Sequence, residues 1–207
     1  MHYIVISKYT EPLDPLIYTW SRNPGAYTVI IYDKGPPEKS TKKHIHLPNV
    51  GREAHTFARA CVDVYDCLQP NDIVTFLQAG FRDHTSSVDA VLHAPKHTMY
   101  IPLAYTLYTC NIHGQPHHNG LRLDLAKPRL ESIVGISLPK TTFTFAPGAQ
   151  YTVRAPCIRQ HSKESWETLT RVLGREYSIG THDHDGIDPW QMERFWMYVF
   201  ETKQNTV

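Results

Sequence analysis

Three polar segments follow directly on apolar, β-branched runs. Lys8-Tyr9-Thr10-Glu11 follows Tyr3–Ser7, Asp33-Lys34-Gly35 follows Tyr27–Tyr32, and Gln78 to His84 follows Asp72–Leu77. In open α/β sheets, ligands bind beyond the carboxyl ends of the strands. Solvation alone explains one polar strand-end loop; three together point to a shared cleft. A fourth segment, Leu47-Pro48-Asn49-Val50-Gly51-Arg52-Glu53-Ala54-His55, places a glycine at the opening of a helix. Free N–H groups there suit a phosphate, and Arg52 adds a fork-shaped donor. The plainer alternative is an ordinary helix cap with a surface Arg52–Glu53 pair. The segment is neither a Walker A loop nor a G-x-G-x-x-G turn. His182-Asp183-His184-Asp185-Gly186 is compatible with a metal or with a solvated loop. His117-His118 reads as a surface loop. Glu193, on the last helix, is either an acid aimed at a cleft or half of an ion pair with Arg194, and spacing alone favours the pair. Neither G-x-S-x-G nor H-E-x-x-H is present, and no cysteine stands in a nucleophile context.

The elements that must position these residues are partly legible. Tyr3–Ser7, Tyr27–Tyr32 and Asp72–Leu77 read as buried strands. From Gly51 to Leu68, residues Ala54, Phe57, Ala58, Cys61, Val64, Tyr65 and Leu68 form one apolar stripe, which predicts a helix capped by Asn49. Pro12 and Pro15 confine any earlier helix to a start at Pro15. In the second half, Glu131–Leu138, Thr142–Ala146 and Gln150–Arg154 read as strands, and Ser162–Leu173 as a helix. A final helix runs from Pro189 to Glu201, with Asp188 and Gln191 in a capping-box pattern. The order predicts a single-domain α/β/α sandwich with a mostly parallel central sheet and a more irregular, β-rich second half.

The 207 residues include 21 Lys plus Arg and 20 Asp plus Glu, a formal net charge of +1. That balance argues against a nucleic-acid binder, which needs a basic stripe. No run approaches the roughly 18 apolar residues of a membrane span. Met1–Ser7 lacks the basic region and the length of a signal peptide. The four cysteines form no C-x-x-C pair. A reducing, cytoplasmic setting is the expectation. The 13 histidines invite a metal-site reading, but most of them fall in no motif.

The blocks Val5–Glu11, Ile31–Gly35, Leu47–Thr56, Thr75–Gly80 with Asp83-His84, Phe145–Val153 and Glu193–Trp196, in that order, resemble the DUF3431 family. They span most of the chain, and N-V-G-R-E-x-H-T is the most specific. The organisation is similar to that of GT-A-type glycosyltransferases, which use nucleotide-diphosphosugars such as UDP-sugars. The resemblance implies one GT-A-like domain over residues 1–207, with a nucleotide-binding half at 1–84 and an acceptor-side half at 85–207. It implies that Tyr9, Glu11 and Asp33 face the nucleoside and that Asn49, Gly51 and Arg52 lie near the diphosphate. Gln78 and His55 would belong to the sugar region, and Gly148 and Gln150 would shape the acceptor side. Asp83 and Glu193 would be the catalytic carboxylates. The Asp-x-Asp expected after the middle strand is replaced by Leu77-Gln78-Ala79-Gly80, so Asp83 and His84 become the ligands of a divalent Mn²⁺ or Mg²⁺ ion. The implied partners are a nucleotide-diphosphosugar donor and a carbohydrate or glycoprotein acceptor. Two other readings stand beside it. One is a metal-dependent hydrolase built on Asp83, His84, His182 and Asp185. The other is a non-catalytic carbohydrate- or protein-binding module.

Overall fold

The computed structural model describes residues 1–36, 43–83, 85, 99–117, 120–175 and 187–201. His84 and the 182–186 segment lie outside the described residues. The main sheet has six strands in the order β3-β2-β1-β4-β8-β5. They are β1 (His2–Lys8), β2 (Tyr27–Asp33), β3 (Ile45–His46), β4 (Ile73–Gln78), β5 (Tyr100–Pro102) and β8 (Tyr151–Arg154). β1 pairs in parallel with β2 and β4, and β2 with β3. β8 runs antiparallel to β4 and β5. The sheet is therefore mostly parallel, as expected, and takes strands from both halves of the chain. β6 (Tyr108–Asn111) and β7 (Thr142–Phe145) form a separate antiparallel pair.

The helices are α1 (Pro15–Ser21), α2 (Arg52–Val64), α3 (Leu123–Val134), α4 (Ala155–Arg159), α5 (Lys163–Leu173) and α6 (Pro189–Phe200). Alternation along each strand sends side chains to opposite faces of the sheet. Val5, Val74, Phe76 and Tyr151 join Phe57 of α2 and Trp196 and Phe200 of α6 in the larger core. Ile4, Ile6 and Leu77 face Ile17 and Trp20 of α1 in a smaller one. Helices thus cover both faces, unequally. In the larger core Phe57 lies 5.2 Å from Phe76 and 6.5 Å from Trp196, ring centre to ring centre. These contacts fix α2 and α6 relative to the sheet. Truncating one such ring costs about 3–5 kcal/mol.

Two expectations are corrected. Glu131–Leu138 is not a strand: Glu131–Val134 closes α3, whose buried face is Leu123, Ala126, Leu130 and Val134. Pro128 inside that helix removes one backbone donor and hides the helical spacing, while Ile133, Val134 and Ile136 imitate a strand. Asn49 does not cap α2; Gly51 holds the N-cap in a left-handed conformation (φ 61°), and Arg52 also has positive φ (46°). A Cβ on Gly51 would lie 2.0 Å from the carbonyl oxygen of Leu173, so only glycine lets α2 start this close to the end of α5. At the other helix the expected capping box is present: Asp188 accepts from Trp190 N at 2.7 Å, and Gln191 Oε1 accepts from Asp188 N at 2.8 Å. Among the described residues, no helix is long and apolar enough to cross a membrane.

Candidate functional site

The chain leaves β1 toward β2 on one side and later enters β4 on the other. This reversal of strand order opens a crevice beyond the carboxyl ends of β1 and β4. A cavity of about 360 Å³ lies there, lined by Ser7, Lys8, Tyr9, Glu11, Lys34, Asn49, Arg52, Glu53 and Gln78. A second cavity of about 270 Å³ adjoins it, lined by Tyr108, His117, Phe145, Gly148, Trp190, Glu193 and Arg194 among others. Arg52, Glu53 and Gln78 line both. The two cavities are lobes of one cleft, one charged and one aromatic, meeting at these three side chains.

In the charged lobe, Asp33 ends β2 and is buried. Its carboxylate accepts from Gly35 N at 2.9 Å, from Lys8 Nζ at 3.1 Å and from His44 Nδ1 at 3.2 Å. Burial alone would raise its pKa, but these donors outweigh burial and hold it below the usual carboxylate range. Asp33 is thereby committed to joining the loops after β1 and β2. Glu11 accepts from Tyr9 N at 3.1 Å at the mouth. Lys34 is buried and donates to Val50 O at 2.5 Å and to Arg52 O. Burial pulls its pKa down to about 7, against a partial rise from Glu53.

At the junction, Glu53 stands in the first turn of α2, with Arg52 Nε 3.5 Å away. Burial raises the Glu53 pKa and the nearby Glu193 charge adds to the rise, while Arg52 and Lys34 oppose it. Glu193 is fully engaged: Oε1 accepts from Gly148 N at 2.7 Å, and Oε2 accepts from Arg194. Gln78 donates to Gly148 O at 2.8 Å, and Gln150 Oε1 accepts from Gln78 N at 3.1 Å. Gln150 also donates to Phe81 O at 3.1 Å and to Thr85 Oγ at 2.9 Å, so its amide fastens the end of β4 to β8. In the aromatic lobe the Arg52 guanidinium lies 4.9 Å from the centre of the Trp190 ring, and that of Arg194 lies 4.2 Å from Phe145. Tyr108 and His117 stack at 4.5 Å.

The structure brings together Tyr9, Glu11, Asn49, Arg52, Gln78, Gly148 and Glu193 around this cleft. Asp33 and Gln150 brace it from behind. Gly51 faces Leu173. His55 is buried beside Gly174, and burial first, then the Lys34 and Arg59 charges, lowers its pKa to about 4, so its ring is neutral. Asp83 is exposed on the turn Phe81–Asp83. Lys34 enters the sequence reading only as part of its loop, Glu53 and Arg194 only as ion-pair partners, and Trp190 not at all. Lys34 and Glu53 each adjoin a residue singled out there. Trp190 and Arg194 reach the cleft only through the packing of α6 against α2.

Among the described residues, no three His, Cys, Asp or Glu side chains gather as a metal-holding group. Of the pair expected to hold a divalent ion, Asp83 stands on an exposed turn and His84 lies outside the described residues. Comparison with protein-family models, with curated proteins and with solved structures finds no match to this chain.

Proposed function

We propose that the cleft is the donor and acceptor site of a glycosyltransferase that moves a sugar from a nucleotide-diphosphosugar to a hydroxyl of a carbohydrate or glycoprotein. The observation that carries this reading is the junction: a charged lobe opens into an aromatic one across Arg52, Glu53 and Gln78. The charged lobe suits a nucleoside diphosphate, with Lys34 and Arg52 beside the phosphates. The aromatic lobe offers Trp190 and Tyr108 as faces for a sugar ring. The resemblance of the motif order to that of the DUF3431 family supports the same reading. Four free thiols, at Cys61, Cys67, Cys110 and Cys157, are compatible with a reducing, cytosol-like compartment.

The chemistry follows from charge. The acceptor oxygen forms a bond to the anomeric carbon, whose bond to the phosphate oxygen breaks. The bonding pair leaves with the diphosphate, where Lys34 and Arg52 stabilise the added charge. The proton of the acceptor hydroxyl passes to Glu53, the junction carboxylate whose raised pKa suits proton exchange. Glu193 holds the Gly148 loop in place.

Titration calorimetry with UDP-glucose, GDP-mannose and ADP-glucose, with and without Mn²⁺, tests the reading. At least one donor is expected to bind, and Arg52→Ala should weaken it roughly tenfold to a hundredfold. A folded sample that binds none of the three overturns the proposal. Binding of a free oligosaccharide without any nucleotide would favour the carbohydrate-binding module, for which the aromatic lobe alone suffices.

A further inference from the structure

Lys34 is only 4% exposed, yet it lines the charged lobe. Its Nζ meets two carbonyl oxygens, those of Val50 and Arg52, rather than a carboxylate. A neutral amine has two N–H groups, and both are spent on these carbonyls. An ammonium has three, and the third needs a further acceptor. Holding that third donor and its charge on a side chain this buried, with no carboxylate bonded to it, is costly. A phosphate oxygen in the lobe would supply both the acceptor and the countercharge.

We propose that Lys34 is the anion receptor of the charged lobe and that it acquires its third hydrogen when a diphosphate arrives, so that donor binding takes up one proton. This rests on the nucleotide-diphosphosugar reading and adds to it a residue and a proton. The proton comes from solvent and converts the Lys34 amine to an ammonium. The neighbouring groups do not supply the same signal. From β1, Lys8 is paired with Asp33, while Tyr9 and Glu11 sit at the mouth. From the β2–β3 side, His44 is bonded to Asp33, and His46 borders the adjoining shallow hollow. From α2, Arg52 lies beside Glu53, and His55 is buried and neutral. From α6, Glu193 is held by Gly148 and Arg194. Glu53 is the competing proton acceptor, and a variant separates it from Lys34. The tendency of burial to bring the Lys34 pKa to about 7 places the uptake in an accessible range.

The test is calorimetry with UDP-glucose, GDP-mannose and ADP-glucose, whose doubly esterified diphosphates have no proton to exchange between pH 6 and 8. Titrations at pH 8 in Tris and in HEPES, which differ in ionisation enthalpy, give the protons taken up. Uptake is expected to be larger at pH 8 than at pH 6, where more of Lys34 is already charged. Glu53→Gln should keep the uptake, and His46→Gln likewise. Lys34→Arg, charged throughout, should bind without uptake, and Lys34→Met should bind at least tenfold more weakly. Binding with equal heats in both buffers, or loss of the uptake in Glu53→Gln, overturns the role of Lys34 and leaves the donor reading standing. Absence of binding to all three donors overturns both.

Discussion

The two lobes of the cleft use buried charge in opposite ways. In the charged lobe, Asp33 is saturated by Gly35, Lys8 and His44, while Lys34 has only carbonyl partners. In the aromatic lobe, Arg194 is 1% exposed, donates to Glu193 and to Trp190 O, and lies over Phe145. Its cation is bonded to a carboxylate and faces a ring; Lys34 is hydrogen-bonded to carbonyls and feels Glu53 only at a distance. The aromatic lobe is therefore preformed electrostatically, and the charged lobe is completed by its ligand. The junction repeats the contrast in its two carboxylates: Glu193 is spent on structure, whereas Glu53 keeps free acceptor capacity.

The sharpest way to break the contrast is Glu193→Ala. It strands the buried Arg194 cation and frees Gly148 N, so a loss of about 3–5 kcal/mol is expected in denaturant unfolding. Gly51→Ala should cost about 3 kcal/mol, because φ is positive and the new Cβ meets Leu173 O. Asp33→Asn should cost about 2 kcal/mol at neutral pH, through weakened charge-assisted hydrogen bonds. The sign with pH follows from its depressed pKa. The Asp33 contribution is complete above the unfolded value of about 3.9 and disappears as pH falls through the folded value, so the native chain and Asp33→Asn should converge in acid melts. Glu53→Gln is the smallest in stability, within about 1 kcal/mol of the native chain, because it removes an unfavourably buried charge. The same variant should lower transfer by about a hundredfold to ten-thousandfold with donor binding retained. An unfolding loss in Glu53→Gln equal to that of Glu193→Ala would erase the distinction between the two carboxylates.

The charged lobe was legible because its residues follow apolar strand runs directly, and a parallel sheet delivers all such loops to one edge. Tyr9, Glu11, Asn49, Arg52 and Gln78 were found that way or through the motif blocks. The aromatic lobe was not legible. Tyr108, Phe145 and Trp190 come from separate elements, β6, β7 and α6, and they meet only through the packing of α6 on α2 and β7, as in Phe57–Trp196 and Phe143–Phe195. Glu53 enters the sequence reading only as the partner of Arg52 in the plainer alternative, because spacing does not show which way the first turn of α2 faces. In the structure that turn sets Glu53 against both lobes. Asp83 shows the converse: a residue chosen for following β4 lies on an exposed turn, because the chain tucks Phe81 under the sheet and turns Asp83 outward.

The most direct measurement is a crystal structure of the chain with a nucleoside diphosphate and Mn²⁺. The diphosphate is expected in the charged lobe, with one phosphate oxygen within hydrogen-bond distance of Lys34 Nζ and another on the Arg52 guanidinium. A diphosphate bound away from the β1 and β4 carboxyl ends, or held without Lys34 and Arg52, would contradict the assignment of the cleft.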